Sequence, residues 1–206
     1  AFKGDVGIEE GRIVAIGDLA NTGARHAIDA QGHIACPGFI DSHTHSDLTI
    51  ALDGRALSSL TQGITTQVMG NCGVSAAPTR DLEPYHGPLD PAMTRDLTCD
   101  WTHFDEYFQR LEANGVGTNT ATLVGHGNVR VAAMGYDDRP PTTTEMERME
   151  ALVDRAMADG ALGLSSGLAY APGPYAELEE LVELSKIVGT YGGIYTSHIR
   201  NQTESI

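Results

Sequence analysis

Apolar residues near the start of the chain alternate with polar ones in short pieces. Val6 and Ile8 form one such piece, and Glu10-Gly11 provides a turn before the next. Alternation with a period of two, interrupted by turn residues, predicts a small antiparallel sheet over residues 2–19. A further pair of strands is predicted over His26–Ile34. Residues 1–36 are therefore predicted to form an N-terminal β segment.

The pattern changes from Pro37 onward, where short apolar runs alternate with longer stretches of helical period. Five runs are predicted as strands: the run from Phe39 through His45, then Thr65–Met69, Thr120–Val124, Ala161–Ser165 and Ile194–His198. Four stretches carry apolar residues at helical spacing: Leu48–Leu60, Thr102–Asn114, Thr142–Gly160 and Tyr175–Val188. Strands that alternate with helices indicate parallel strands joined by right-handed crossovers. Residues 37–206 are therefore predicted to form an α/β domain.

One connection in this domain is unusually long. Pro78–Trp101 contains four prolines and no helical period. Structureless loops of this length are uncommon in compact domains and are often functional. We predict that this loop covers a pocket mouth or a subunit contact, with Tyr85 and Trp101 as its buried anchors.

Composition narrows the possible functions. The formal net charge of the 206 residues is -15, and the chain has no basic run, whereas a nucleic-acid surface needs a basic patch. No apolar stretch reaches the length of a membrane span. The three cysteines have no disulfide-framework spacing, and the first residues have no signal-peptide pattern. We expect a cytoplasmic protein that binds neither nucleic acid nor membranes.

Two histidines lie at the C-terminal end of the first predicted strand. Successive side chains of a strand point to opposite faces, so His43 and His45 can reach one ion from one strand. Imidazole suits zinc and other divalent transition metals. The competing interpretation is a pair of solvated histidines at a strand end. The preceding apolar run and the flanking Asp41 and Asp47 favour the metal site.

Four longer motifs carry a family resemblance. They read PGFIDSHTHSD (37–47), TQGITTQVMGNCG (61–73), GALGLSSGLAYAPG (160–173) and YTSHIRN (195–201). In this order they resemble the amidohydrolase superfamily of metal-dependent hydrolases, and within it the D-aminoacylase, or N-acyl-D-amino-acid deacylase, branch. The likeness runs along nearly the whole chain. Members of the branch are far longer, so the resemblance implies an N-terminal part of such an enzyme.

The resemblance also implies a fold. The expected fold class is an incomplete TIM-type (β/α) barrel, with about five of eight strands, preceded by part of a small β-sandwich. The chain is shorter than the roughly 250 residues of a complete barrel. The domains are expected at residues 1–36 for the β segment and 37–206 for the first part of the barrel. An unclosed barrel would leave an apolar edge open.

The resemblance assigns metal ligands by motif. His43 and His45 would bind one metal, and Cys72 in GNCG and His198 at the fifth strand would bind zinc. One zinc is expected to be tightly bound, with a second, weaker divalent metal possible. Cys36 and Cys99 match no motif and are interpreted as structural. The fourth strand carries serines where many amidohydrolases have a carbamylated lysine, which argues against dihydroorotase and hydantoinase.

The resemblance also implies residues for substrate binding and catalysis. Tyr170 and Arg200 would hold the substrate carboxylate, and His126 would line the pocket or orient a neighbour. The branch's catalytic aspartate lies on an eighth strand, so no residue before Ile206 is assigned that role; Asp47 and His126 are the first substitutes to consider. The 206 residues alone are therefore expected to be inactive.

The expected activity is zinc-dependent hydrolysis of the amide bond of N-acyl-D-amino acids. Two alternatives stay open: a dipeptidase or cyclic amidase of the same superfamily, and a non-catalytic metal-binding fragment. The expected partners are the small-molecule substrate and either further copies of the chain or the remainder of the enzyme.

Overall fold

The computed structural model describes residues 3–30 and 32–203. The chain divides into two compact units, Ala1–Pro37 and Gly38–Ile206. In the first unit, β1 (Asp5–Glu9) pairs antiparallel with β2 (Arg12–Gly17). Glu10 and Gly11, both with positive φ, form the turn between them. This confirms the small antiparallel sheet predicted from the alternation.

The second strand pair of this unit was predicted wrongly. The described residues of the 26–34 stretch contain no strand. Instead, the backbone N–H of His33 donates to the carbonyl of Ala30. Ile28 and Ile34 are about nine-tenths exposed, so the alternating apolar residues bury almost nothing that could stabilise a ladder.

The second unit contains two three-stranded parallel sheets. The first has the order β3-β4-β5 and the second the order β6-β7-β8. Their strands are β3 (Phe39–Asp41), β4 (Ile64–Met69), β5 (Asn119–Thr122), β6 (Val124–Gly125), β7 (Gly163–Gly167) and β8 (Ile194–His198). The parallel α/β arrangement predicted from the sequence is confirmed.

The predicted third strand is split between the two sheets. β5 pairs with β4 and β6 pairs with β7, while Leu123 between them donates its N–H to the carbonyl of Met69. β7 begins two residues later than predicted, because the N–H of Ala161 still closes the preceding helix on Ala156. The carboxyl ends of β4, β6, β7 and β8 lead into the motifs that carry the candidate chemistry.

Six α-helices join these strands: α1 (Thr49–Leu52), α2 (Leu57–Leu60), α3 (Phe104–Asn114), α4 (His126–Met134), α5 (Thr143–Ala158) and α6 (Leu178–Thr190). Short 3₁₀ turns occur at Pro91–Thr94 and Gly173–Tyr175. Thr142 caps α5, and its hydroxyl accepts from the N–H of Glu145. None of the helices in the described part of the chain combines the length and apolarity needed to cross a bilayer.

The helices differ from the prediction at three places. Leu48–Leu60 is not one helix, since the backbone is extended at Asp53 and left-handed at Ala56; between them Gly54 lies so close to Gly115 that a Cβ would come within 2.1 Å of that carbonyl. α3 begins at Phe104 and not at Thr102, and the carboxylate of Glu106 caps it. The short helix α4 was not predicted.

The core of this unit lies between the helices and the sheets. Trp101, Phe104, Tyr107 and Met149 are fully buried within it. Tyr85 and Trp101 of the long connection are 5% and 0% exposed, which confirms that they anchor it. The Trp101 indole N–H donates to the carbonyl of Ala76 at 2.9 Å, so burial leaves no polar group of this side chain unsatisfied.

Candidate metal centre

His43, His45 and Cys72 bring their ligand atoms within 4.8 Å of one another. The Cys72 sulfur lies 3.4 Å from Nε2 of His43, and the two imidazole rings meet edge to face with centroids 5.4 Å apart. Cys72 is buried, His45 is half-buried and His43 is exposed. The three groups therefore form a cluster that is open to solvent on the His43 side.

The histidine segment is held by its backbone and not by a continuing strand. β3 ends at Asp41, whose carboxylate accepts from the N–H of His43 at 3.1 Å. Two residues later the N–H of Thr44 donates to the carbonyl of Val68 on β4. The strand was expected to include both histidines, and the structure ends it before them. The bond to Val68 nevertheless keeps the segment against β4.

Cys72 lies in a tight loop after β4. Gly70, Cys72 and Gly73 all have positive φ, at 75°, 54° and 76°. A Cβ on Gly70 would come within 1.9 Å of the Leu123 carbonyl, and one on Gly73 within 2.6 Å of the Gly167 nitrogen. Only glycine fits both positions. Cys72 adopts the same left-handed conformation despite its side chain, so the loop is built to present the thiol.

Electrostatics favour metal binding at His45. Burial lowers the pKa of His45, and the neighbouring His43 and His198 lower it further. A histidine must be neutral to ligate a metal. Nδ1 of His45 is buried and has no hydrogen-bond partner among the described residues. Two imidazoles and one thiol at these distances form a nitrogen–sulfur donor set that suits zinc, so the residues present fit a metal.

His198, the fourth predicted ligand, lies at the end of β8 near this cluster. It is not one of the three residues whose ligand atoms converge. Its ring lies 5.3 Å from that of Tyr170, and its Nε2 is 3.3 Å from the amide nitrogen of Gln202. It is close enough to depress the pKa of His45. Its role as a ligand stays a prediction.

The two predicted substrate-binding side chains contact backbone carbonyls. The Tyr170 hydroxyl donates to the carbonyl of Cys72 at 2.7 Å. Burial and, after it, the neighbouring Cys72 side chain raise the pKa of Tyr170, so the phenol stays protonated. The Arg200 guanidinium donates to the carbonyls of Pro174 and Ala176 at 2.6 and 3.0 Å. Tyr170 thus adjoins the cluster directly, and the substrate roles of both residues stay predictions.

Asp47 is the buried carboxyl nearest in sequence to the two histidines. It is 2% exposed, and burial raises its pKa to about 7 although the N–H groups of Asp47 and Gly70 act in the opposite direction. One oxygen accepts from the Gly70 N–H at 2.7 Å, and the other has no partner among the described residues. The carboxyl therefore contacts the loop that carries Cys72.

His126 lies at the start of α4 and is fully buried. Its Nε2 donates to Glu180 on α6 at 2.6 Å, and Arg130 donates to the other oxygen of the same carboxylate at 2.5 Å. His126 therefore contacts a buried carboxylate, and its role at the pocket stays a prediction. The sequence did not indicate its partner, because Glu180 lies fifty-four residues further on.

Comparison with known proteins gives consistent matches. The model of the amidohydrolase family matches residues 26–187. D-aminoacylase of Alcaligenes xylosoxydans xylosoxydans is 38% identical over 204 residues, covering 99% of this chain and 42% of that protein. N-acyl-D-glutamate deacylase of the same organism is 42% identical over 207 residues, covering 99% and 41%. The chain spans about two fifths of the length of these relatives.

Solved structures match equally well. A crystal structure of D-aminoacylase superposes with a TM-score of 0.88 at 39% identity, covering 96% of this chain and 41% of that one. Another D-aminoacylase structure has the same TM-score and contains a binuclear metal centre. In that protein one metal is associated with activation and the second with attenuation. N-acyl-D-glutamate deacylase from Bordetella bronchiseptica, with zinc and a phosphonate mimic of the tetrahedral intermediate, gives 0.86 at 41% identity, covering 97% and 41%.

Proposed function

This chain belongs to the amidohydrolase family, and from that premise we propose that it supplies the metal-binding part of an enzyme that hydrolyses the amide bond of N-acyl-D-amino acids. The observation that carries the proposal is the convergence of His43, His45 and Cys72 within 4.8 Å. The relatives at about 40% identity over nearly the whole chain are deacylases of D-amino acid derivatives, which supports this substrate class.

The fold is proposed to be the first part of a TIM-type barrel. Two parallel sheets with intervening helices and a TM-score of 0.88 to a D-aminoacylase support this. Residues 37–206 would supply about five of eight barrel strands, and residues 1–36 part of a small β-sandwich. Apolar side chains on the outermost strands are exposed, including Phe39 at 59% and Ile194 at 53%. Further strands would cover these edges.

His43, His45, Cys72 and His198 would hold zinc, with a second, weaker divalent metal possible. When bound, zinc supplies Lewis-acid polarisation of the amide carbonyl and lowers the pKa of water in its coordination shell. Cys72 would contribute a thiolate and the histidines neutral imidazoles. The depressed pKa of His45 supports this, because the residue then needs no deprotonation at neutral pH.

The substrate carboxylate would bind beside the cluster. Tyr170 keeps its proton and would donate it to the carboxylate after releasing the carbonyl of Cys72, which lies 2.7 Å from its hydroxyl. Arg200 would provide the opposing cation after releasing the two carbonyls that it now contacts. No residue of this chain is assigned as the proton-transferring base. The three free cysteines favour a reducing compartment, and we propose the cytoplasm.

Metal analysis of matched cysteine variants tests the proposal. Cys72→Ala should lose zinc measured by elemental analysis, whereas Cys99→Ala, which removes a half-buried thiol away from the cluster, should keep it. The complete protein should hydrolyse N-acetyl-D-methionine in preference to its L-isomer, and a chelator should abolish turnover. Zinc retained by Cys72→Ala at wild-type stoichiometry, or turnover that survives chelation, would contradict the proposal.

A further inference from the structure

The loop that presents Cys72 is held by two buried polar side chains, Ser165 and Asp47, whose contacts with it the sequence did not indicate. Ser165 lies in the middle of β7 and is fully buried. Its hydroxyl accepts from the N–H of Gly73 at 2.9 Å and donates to the carbonyl of Gly70. One side chain thus joins the residue that precedes Asn71-Cys72 to the residue that follows.

Asp47 also holds this loop by a hydrogen bond. Its carboxyl accepts from the N–H of Gly70 at 2.7 Å. Gly70 is therefore held at its amide by Asp47 and at its carbonyl by Ser165. Asp47 follows His45 by two residues, so the bond ties the histidine segment to the thiol loop. The Tyr107 hydroxyl donates to the backbone carbonyl of Asp47 at 2.6 Å and fixes Asp47 in turn.

Ser165 is held in a fixed position, because strands pair with β7 on both sides. β7 pairs on one side with β6, where Ser165 faces Gly125, and on the other with β8, where it faces Thr196. The same ladder aligns Gly167 with His198. A hydroxyl in the centre of this sheet therefore sets the distance between the Cys72 loop and the strand that carries His198.

We propose that Ser165, assisted by Asp47, is a positioning residue that fixes the Cys72 thiol for metal binding. The inference rests on the proposed metal centre. Ser165 touches neither the thiol nor a substrate, and it acts through the backbone on both sides of Cys72. Groups that orient metal ligands typically change metal affinity by about 10–100-fold when they are removed. The loss of two hydrogen bonds in one substitution should have an effect of this size.

The neighbouring residue Ser166 offers a matched control. It is equally buried on the same strand, but its hydroxyl contacts those of Tyr195 and Ser197 and not the Cys72 loop. Ser165→Ala and Ser166→Ala therefore remove the same atom at the same burial. If the hydroxyl of Ser165 only stabilised the fold, the two variants should lose stability and zinc affinity alike. If Ser165 positions Cys72, zinc affinity should fall in Ser165→Ala alone.

The experiment measures zinc affinity of the complete protein by competition with a chromophoric chelator. Ser165→Ala should bind zinc about 10–100-fold more weakly, and Ser166→Ala as tightly as the wild type. Cobalt-loaded Ser165→Ala should also show a weaker thiolate-to-cobalt charge-transfer band. In metal-free protein with Cys36→Ser and Cys99→Ser, Ser165→Ala should accelerate alkylation of Cys72 by iodoacetamide.

If Ser165→Ala does not fold, Asp47 carries the same test. Asp47→Asn keeps an oxygen for the Gly70 N–H and should retain zinc affinity, whereas Asp47→Ala should lose it. Equal zinc affinity in Ser165→Ala and wild type, or in the two Asp47 variants, would overturn the positioning role. Equal zinc binding by wild type and Cys72→Ala would instead overturn the metal centre itself, so the two failures are distinguishable.

Discussion

The buried carboxylate of Glu180 gives the sharpest stability prediction. Glu180 is 4% exposed at the start of α6, and it accepts from His126 and Arg130, both fully buried on α4. Arg130 also donates to the carbonyl of Arg139 at 2.6 Å. Glu180→Gln removes the counter-charge but keeps the shape, so a buried guanidinium loses its anionic partner.

The magnitude follows from burial. Removing one partner of a buried ion pair typically costs about 3–5 kcal/mol of unfolding free energy, because the remaining charge is uncompensated. Glu183 on the same helix pairs with Lys186 at 2.7 Å, but both side chains are about half exposed or more. An exposed helix pair of this kind contributes about 0.3–0.5 kcal/mol. Glu183→Gln is therefore the matched control for Glu180→Gln.

The pH dependence has a defined sign. Burial acts to raise the pKa of Glu180, but the hydrogen bonds and charges of His126 and Arg130 outweigh it and lower the pKa below its ordinary value of 4.5. A depressed folded-state pKa stabilises the protein above the unfolded-state pKa. The stability difference between wild type and Glu180→Gln should therefore be constant from neutral pH to about 5 and shrink as pH falls below 4.5.

Urea unfolding of metal-free protein, followed by circular dichroism at several pH values, measures this difference. A loss in Glu180→Gln no larger than that in Glu183→Gln would refute the uncompensated-charge argument. A difference that persists unchanged well below pH 4.5 would refute the assignment to the carboxylate charge. The result bears on the candidate site, because α4 also donates the N–H of Gly127 to the carbonyl of Gly73 beside Cys72.

Two further predictions concern the long connection and the chain as a whole. Tyr85 is 5% exposed, so Tyr85→Ala, which removes the buried ring, should accelerate proteolysis within residues 78–101. Tyr85→Phe loses only the hydrogen bond to the carbonyl of Ala171 and should be cleaved more slowly than Tyr85→Ala; equal cleavage of both would count against the packed ring as the anchor. The 206 residues alone, supplied with zinc, should not turn over N-acetyl-D-methionine, because the resemblance places the proton-transferring aspartate on an eighth strand. Chelator-sensitive turnover that is lost in His198→Ala would show that this expectation is wrong.

Secondary structure was predictable where one local signal decided it. β8 occupies Ile194–His198 as predicted, and α5 begins after the cap at Thr142. The break between α1 and α2 was not predictable, because it depends on Gly54 approaching Gly115, sixty-one positions later by number. α4 was not predicted, because its first residues resemble a glycine-rich strand end. Seven of its nine residues are also buried, so it lacks the one-sided apolar pattern by which a surface helix is recognised.

In the candidate site, too, some residues could be predicted from the sequence and others could not. His43, His45 and Cys72 stood out because metal-binding residue types lie at recognisable positions in motifs, and the structure brings them together. Ser165 was assigned no role, and Asp47 was noted only as a flanking acid and a possible substitute base, because the contacts of both are to backbone groups of Gly70 and Gly73. A hydrogen bond to a distant backbone group leaves no spacing or residue-type signature, and only the folded chain shows it.

The conformation of Cys72 shows why such supports are needed. A left-handed backbone at a residue with a side chain costs about 1–2 kcal/mol. Among the hydrogen bonds that hold the loop, five come from Asp47, Tyr170, Gly127 and, twice, Ser165. At about 0.5–1.5 kcal/mol each, these five together outweigh that cost. The protein itself therefore holds the thiol in place. Binding then incurs little ordering penalty, and losing Ser165 should weaken affinity without unfolding the loop.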